Sequence, residues 1–190
     1  MQAIKEALGE KENRVTVSDY YTVYQGEGLK GVNQYCWTHL IREGKVISPT
    51  LHHELQGIFH QIKERLTLPL SGRDPTSIRI ELERLTTATY PDVEKGCSNK
   101  LRTLQARIKK EAGNYLTCLT HENVAPENNY AERLLRPQVI KRKIFGGCRS
   151  TQGATTHAVN SSVLTTACAR TPGSFFGLVM PLLRLAAATA

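Results

Sequence analysis

The hydrophobic pattern begins with two short β-prone runs. In RVTVSDYY, Val15 and Val17 alternate with polar residues, which predicts a strand that ends near Asp19. VNQYCWTHLI is a second β-prone run, and it turns helical near His39. A short amphipathic helix is predicted over residues 2–9. The order helix, strand, turn and strand is typical of an α/β layer.

From about Thr50 the spacing of apolar residues changes to the period of an α-helix. Helices are predicted at 50–68, 77–90, 100–119, 156–169 and 174–187. The apolar residues expected on the second of these are Ile78, Ile80, Leu82 and Leu85. Another helix is predicted to start near Asn129 and to kink or stop at Pro137, because an internal proline removes a main-chain hydrogen bond.

Composition adds a charge imbalance to this pattern. Lysine and arginine number 25 against 17 acidic residues, for a net charge of +8. This excess favours a polyanionic partner, although many small basic proteins bind no nucleic acid. The cysteines are odd in number and well spread, which fits reduced thiols in the cytoplasm. The N-terminus lacks a signal-peptide core and the most apolar stretch is too short to span a bilayer, so we expect no membrane association.

The block PENNYAERLLRP, residues 126–137, has two interpretations. In the first it starts a helix, because Asn129 and Glu132 have the spacing of a capping box and Arg136 is placed to pair with Glu132. In the second, Glu132 holds a metal ion over a DNA phosphate. The basic run KRK that follows suits phosphates, and Asp19 ends a strand, where open α/β sheets form their functional crevice. These features favour the second interpretation.

Three segments together carry a family resemblance: VSDYYTVYQ, YCWTHLIRE and PENNYAERLLRPQVIKRKIFGGCRSTQGA. They resemble the C-terminal half of a bacterial DDE transposase of the insertion sequence sixty-six family, over most of residues 14–170. The resemblance implies a partial ribonuclease-H-like α/β fold, helix-dominated and with few strands. The implied divisions are a partial core with a helix and two strands (1–45), an all-α insertion (46–121), and the rest of the core with the catalytic-glutamate helix and terminal helices (122–190).

The resemblance also implies roles for individual residues. Asp19 matches the second catalytic aspartate and Glu132 the catalytic glutamate, so both are implied to be catalytic metal ligands. The implied cofactor is a pair of Mg²⁺ ions, which prefer carboxylate oxygens. The motif-associated positions are Cys36, His39, Asn128 and Asn129. The expected DNA contacts are Arg133, Arg136, Lys141, Arg142 and Lys143.

No aspartate precedes Asp19, and Asp74 and Asp92 fall in the expected insertion. The family's first catalytic aspartate is therefore without a counterpart. We expect a truncated DDE transposase. Its parent family carries out Mg²⁺-dependent DNA cleavage and strand transfer, but we expect this chain to be inactive alone, so whether it is an enzyme stays open. The expected partners are transposon-end DNA and a full-length transposase or a second copy, in the bacterial cytoplasm with the nucleoid. The alternatives are a non-catalytic DNA-binding or transposase-associating remnant and a helical protein–protein module.

Two smaller patterns leave alternatives open. Cys36 and His39, with Cys118 and His121, form two Cys-x-x-His pairs that suit a zinc site, but buried thiols beside unrelated histidines are the favoured interpretation. The tyrosines beside Asp19 can stack on bases or pack half-buried against the protein, and packing is favoured. These tyrosines are Tyr20, Tyr21 and Tyr24.

Overall fold

The computed structural model of the chain describes residues 15–20, 31–144 and 146–170. The chain divides into two compact units, residues 1–129 and 130–190. Within the described ranges, the first unit contains both strands and most of the helices. The helices predicted at 2–9 and 174–187 lie outside the described residues, and the domain boundaries predicted from the sequence remain predictions.

Two strands pair in parallel to form the sheet: β1, Val15–Ser18, and β2, Val32–Tyr35. The register sets Ser18 opposite Tyr35. Parallel strands need a long connection, and residues 19–31 supply it. The Cys36 amide extends the ladder by donating to the Ser18 carbonyl at 2.9 Å. The carboxyl ends of both strands therefore meet at one edge of the sheet, which we call the carboxyl edge.

The helices follow the strands in chain order: α1, Trp37–Ile47; α2, Pro49–Leu66; α3, Thr76–Leu85; α4, Ser98–Tyr115; α5, Thr117–Thr120; α6, Asn129–Ile144; and α7, Thr151–Arg170. A short 3-10 helix covers Leu70–Gly72. The expected helix-dominated α/β character is confirmed. A ribonuclease-H-like topology remains a prediction, because two strands do not define its strand order. Within the described ranges, no helix is both long and apolar enough to cross a bilayer.

Ser48 separates α1 from α2 and caps the second helix. Its backbone is extended, and its hydroxyl oxygen accepts from the Leu51 amide at 3.1 Å, while Pro49 fills the first helical turn. The same hydroxyl donates to Asp92 Oδ1 at 2.6 Å, and Asp92 Oδ2 accepts from the Thr50 amide at 2.7 Å. These bonds lower the pKa of the Asp92 carboxyl, and the bond from Ser48 has the largest effect. Asp92 thus fixes a helix start.

Helices α1 to α5 bury one face each in a common core with the end of β2. The largest fully buried side chains are Trp37, Tyr115, Leu40, Leu51, Leu55, Ile62, Ile78, Leu82, Leu85, Leu104, Ile108 and Leu119. The apolar pattern predicted these helices. One residue expected on the apolar face of α3 does not lie in the core, because Ile80 is 61% exposed. Ile80 lies two residues from both Ile78 and Leu82, so a helix turns it to the opposite face. Helix α3 also ends at Leu85, earlier than predicted, where the Thr86 hydroxyl donates to the Glu83 carbonyl at 2.7 Å.

The sequence predicts that α6 kinks or stops at Pro137, and the prediction of a stop is wrong. The helix continues through Pro137 to Ile144. Proline removes the amide that would bond the carbonyl four residues earlier, at Arg133. Arg133 and Pro137 are both exposed, so water can hydrate that carbonyl. The exposed position explains why the helix tolerates the proline.

Gly44 lies on α1 where that helix packs against α2. A Cβ atom at Gly44 would lie 2.6 Å from Leu55 Cδ1, whereas one at Gly57 would meet nothing within 4 Å. We expect Gly44→Ala to lower the free energy of unfolding by about 1–3 kcal/mol through overpacking. The matched change Gly57→Ala should raise it by about 0.5–1 kcal/mol, because alanine favours a helix over glycine. Urea unfolding measures both, and a Gly44→Ala protein as stable as the original would contradict this packing.

Candidate active site at the carboxyl edge

Asp19 directly follows β1, as predicted, and its side chain is half-buried. The main-chain bond from Cys36 to Ser18 brings the first turn of α1 to the same edge. Side chains at the carboxyl ends of parallel strands are the usual position of functional groups in α/β proteins. The described part of the chain therefore places Asp19 where such a group is expected, while its catalytic role stays a prediction.

The loop before α6 docks on the first turn of α1. The Trp37 amide donates to the Pro126 carbonyl at 3.1 Å, and the Asn128 amide donates to Cys36 Sγ at 3.4 Å. Two segments that are about ninety residues apart in the sequence are thus joined by main-chain donors. The motif-associated residues Cys36 and Asn128 lie together, and His39 lies in the same turn of α1.

Thr38 makes the most specific contact with this loop. Its hydroxyl donates to Glu127 Oε2 at 2.7 Å and accepts from Asn129 Nδ2 at 3.3 Å. Asn129 is the first residue of α6, so Thr38 fixes the point at which that helix begins. Sequence analysis missed Thr38 and Glu127. A signal was present, since both lie inside the two motifs that were singled out.

Two buried oxygen atoms at this edge lack a hydrogen-bond partner among the described residues. They are the hydroxyl of Ser18, which is 4% exposed, and Asn128 Oδ1. An unpaired buried polar group costs about 1–3 kcal/mol, so each of these atoms needs a partner, which can be water, an ion or a side chain outside the described residues. Together with the Asp19 carboxylate they are hard oxygen donors of the kind that Mg²⁺ prefers. Their chemistry is compatible with Mg²⁺, while the binding of the ion that the resemblance implies stays a prediction.

Tyr20 packs against the protein beside Asp19. Its ring is edge-on to Tyr35 at 5.0 Å between centroids, and the Arg107 guanidinium lies 4.8 Å from its centre. Arg107 is held by Glu43 through bonds of 2.8 and 3.2 Å. Burial raises the pKa of Tyr35 to about 12, so this phenol stays neutral at physiological pH. The packing interpretation is confirmed for Tyr20; the other two tyrosines of the run lie outside the described residues.

The two Cys-x-x-His pairs do not form a zinc site. Cys36 and Cys118 are both buried free thiols. Burial raises the pKa of the Cys118 thiol to about 12. Across the described ranges, no group of three or more His, Cys, Asp or Glu side chains could hold a metal ion. The buried-thiol interpretation therefore holds for both cysteines.

The second unit carries the predicted glutamate and all five of the predicted DNA contacts. Glu132 lies in the first turn of α6 and is half-buried. Arg133, Arg136 and Lys143 are exposed on the same helix. The side chains of Lys141 and Arg142 lie outside what the structure describes. Because Asp19 and Glu132 belong to different units, their convergence on one metal ion remains a prediction.

The family comparison agrees with the motifs that the carboxyl edge and α6 contain. The model of the Transposase IS66 family matches residues 1–156, which include Asp19 and Glu132. Searches of curated proteins and of solved structures each found no match. The family match covers more than half of the chain. The chain belongs to the IS66 family of transposases.

Proposed function

We propose that Asp19 and Glu132 are catalytic carboxylates of a DNA cleavage and strand-transfer reaction that depends on Mg²⁺. The observation that supports this most strongly is the docking of the loop before α6 onto the carboxyl edge, through Cys36 and Thr38. Asn129 bonds Thr38 at that edge, and Glu132 follows three residues later. Three residues of chain span at most about 10 Å, so the chain itself keeps Glu132 near Asn129.

The chemistry of the donors is consistent with the proposal. A pair of Mg²⁺ ions, when bound, activates the attacking oxygen and stabilises the leaving oxygen of the phosphodiester. Asp19 and Glu132 would supply anionic oxygens. The unpaired neutral oxygens belong to Ser18, which precedes Asp19 in the chain, and to Asn128, whose amide bonds Cys36. The expected phosphate contacts are Arg133, Arg136, Lys141, Arg142 and Lys143, which would fix the position of the DNA strand.

We further propose that residues 1–190 do not complete the reaction alone. The only other aspartates are Asp74 and Asp92, and both are used at helix starts. Asp74 Oδ1 accepts from the amide and the hydroxyl of Thr76 at 3.0 and 2.6 Å, and Asp92 caps α2 with Ser48. Neither aspartate is available as the third carboxylate. Transposon-end DNA incubated with the purified chain and Mg²⁺ should therefore remain uncut, and cleavage that Glu132→Gln abolishes would refute this.

A double-mutant cycle on metal affinity tests whether the two acids share an ion. Mn²⁺ binding to the full chain is measured by electron paramagnetic resonance for Asp19→Asn, Glu132→Gln and the double variant. Each single change should weaken binding about tenfold or more. The double change should weaken it less than the product of the two, because removal of either ligand already disables the shared site.

Glu83→Gln is the matched control, because Glu83 is an exposed carboxylate on α3. It should leave the Mn²⁺ affinity unchanged. Strictly multiplicative effects of Asp19→Asn and Glu132→Gln, or no effect of either, would overturn the shared site. DNA binding that is salt-dependent but indifferent to metal would then favour the non-catalytic DNA-binding alternative.

A further inference from the structure

A cleft lies between α1 and α4 in the first unit, with a volume of about 580 Å³. Its apolar lining includes Val46 and Ile47 from α1 and Leu104 from α4. Ile47 and Leu104 are buried, whereas Val46 is 57% exposed. The cleft therefore has a firm apolar floor that remains open to a ligand from solution.

The walls of the cleft carry an excess of positive charge. Arg42 and Lys100 line it, and neither forms an ion pair with any described residue. The one acidic residue of the lining is Glu43, and its carboxylate is already neutralised by the bidentate bond from Arg107. Two cations are therefore left to attract an anionic ligand.

One residue of the lining also contacts the segment that contains Asp19. Arg107 lines the cleft, and its guanidinium also covers the Tyr20 ring at 4.8 Å. Tyr20 directly follows Asp19 in the chain. His39, in the first turn of α1, lines the cleft as well. The cleft and the chain segment that contains Asp19 therefore share Arg107 as a common neighbour.

We propose that this cleft binds the phosphodiester backbone of DNA. Arg42 and Lys100 contact phosphates, and the exposed apolar side chain of Val46 packs against the sugars between them. A DNA strand alternates anionic phosphates with apolar sugar faces, and the cleft offers both kinds of contact. The inference rests on the proposed transposase function, and it gives the helical block between residues 46 and 121 a part in holding the substrate.

The test compares two double variants of the full chain that remove equal charge from the same pair of helices. Arg42→Ala with Lys100→Ala removes one arginine and one lysine from the cleft. Lys45→Ala with Arg102→Ala removes one of each from exposed positions outside it. Fluorescence anisotropy of a labelled duplex gives the DNA affinity between about 50 and 200 mM salt. Log affinity falls linearly with log salt, and each lost phosphate contact makes that slope less negative by about 0.9.

The cleft variant should lower the magnitude of that slope by about 1.8, and the control variant should lower it by much less. Equal slopes for the two variants, with the unmodified chain still binding DNA, would overturn the cleft while leaving the proposed function in place. Failure of the unmodified chain to bind DNA would overturn both. Displacement of the DNA by inorganic phosphate at constant ionic strength would assign the cleft to a small phosphate ligand and likewise overturn the proposal.

Discussion

Replacement of Trp37 by alanine is expected to lower the free energy of unfolding by about 3–5 kcal/mol, which is a large part of the stability of an ordinary domain. The Trp37 side chain is fully buried. Its ring stacks on Phe59 with centroids 5.9 Å apart and meets Tyr115 edge-on at 5.8 Å. Its indole N–H donates to the Tyr115 carbonyl at 2.7 Å. Alanine removes all of these contacts and leaves a cavity.

Trp37 is the chain's one tryptophan, so unfolding in urea should be followed by circular dichroism. Trp37→Phe is the informative partner variant, because it keeps an aromatic ring but loses the bond to the carbonyl. It should cost about 1–3 kcal/mol and fall between alanine and the original residue. A loss of less than about 1 kcal/mol for Trp37→Ala would show that this side chain does not hold the core together.

The second large effect is expected for Gln34→Leu, which should lower the free energy of unfolding by about 2–4 kcal/mol. Gln34 is fully buried, and its Oε1 accepts from the Cys118 amide at 2.7 Å. Its Nε2 donates to the carbonyls of Tyr35 and Tyr115 at 2.8 and 3.2 Å. Leucine has a similar volume but leaves the buried Cys118 amide without a partner, so the loss measures hydrogen bonding more than packing.

Gln56→Leu is the matched control for this substitution, because Gln56 is exposed on α2. It should change the free energy of unfolding by no more than about 0.5 kcal/mol. Thermal and urea unfolding of the two variants, run side by side, give the comparison. Equal stability of Gln34→Leu and Gln56→Leu would mean that the bonds from Gln34 contribute nothing net to the fold.

The amphipathic helices could be predicted because burial of one face imposes a period on the sequence. Helix α2 follows its apolar pattern closely, and the proline and serine at its start are ordinary helix-start signals. The path of α6 through Pro137 could not be predicted, because the cost of an internal proline depends on whether water reaches the freed carbonyl. The parallel pairing of β1 and β2 was equally hidden, since short strands carry no sign of their direction.

The candidate site was predictable only where a motif carried it. Asp19 and the loop before α6 were found because their residues form recognisable blocks. The bond from Thr38 to Glu127 spans 89 positions, and the stacking of Arg107 on Tyr20 spans nearly as many. Such pairings have no periodicity, so only the fold reveals them. The helix-capping use of Asp92 was hidden for the same reason.

The Tyr115 carbonyl, at the end of α4, receives hydrogen bonds from both Trp37 and Gln34. The strand that leads to the carboxyl edge is consequently anchored by an atom that lies 78 positions beyond Trp37 along the chain. Deletion of the intervening helices would leave the buried indole N–H of Trp37 without its acceptor and Gln34 Nε2 with only the Tyr35 carbonyl. The helical block is therefore not an exchangeable cassette, and natural variants that shorten or lengthen it must still deliver a carbonyl to this position.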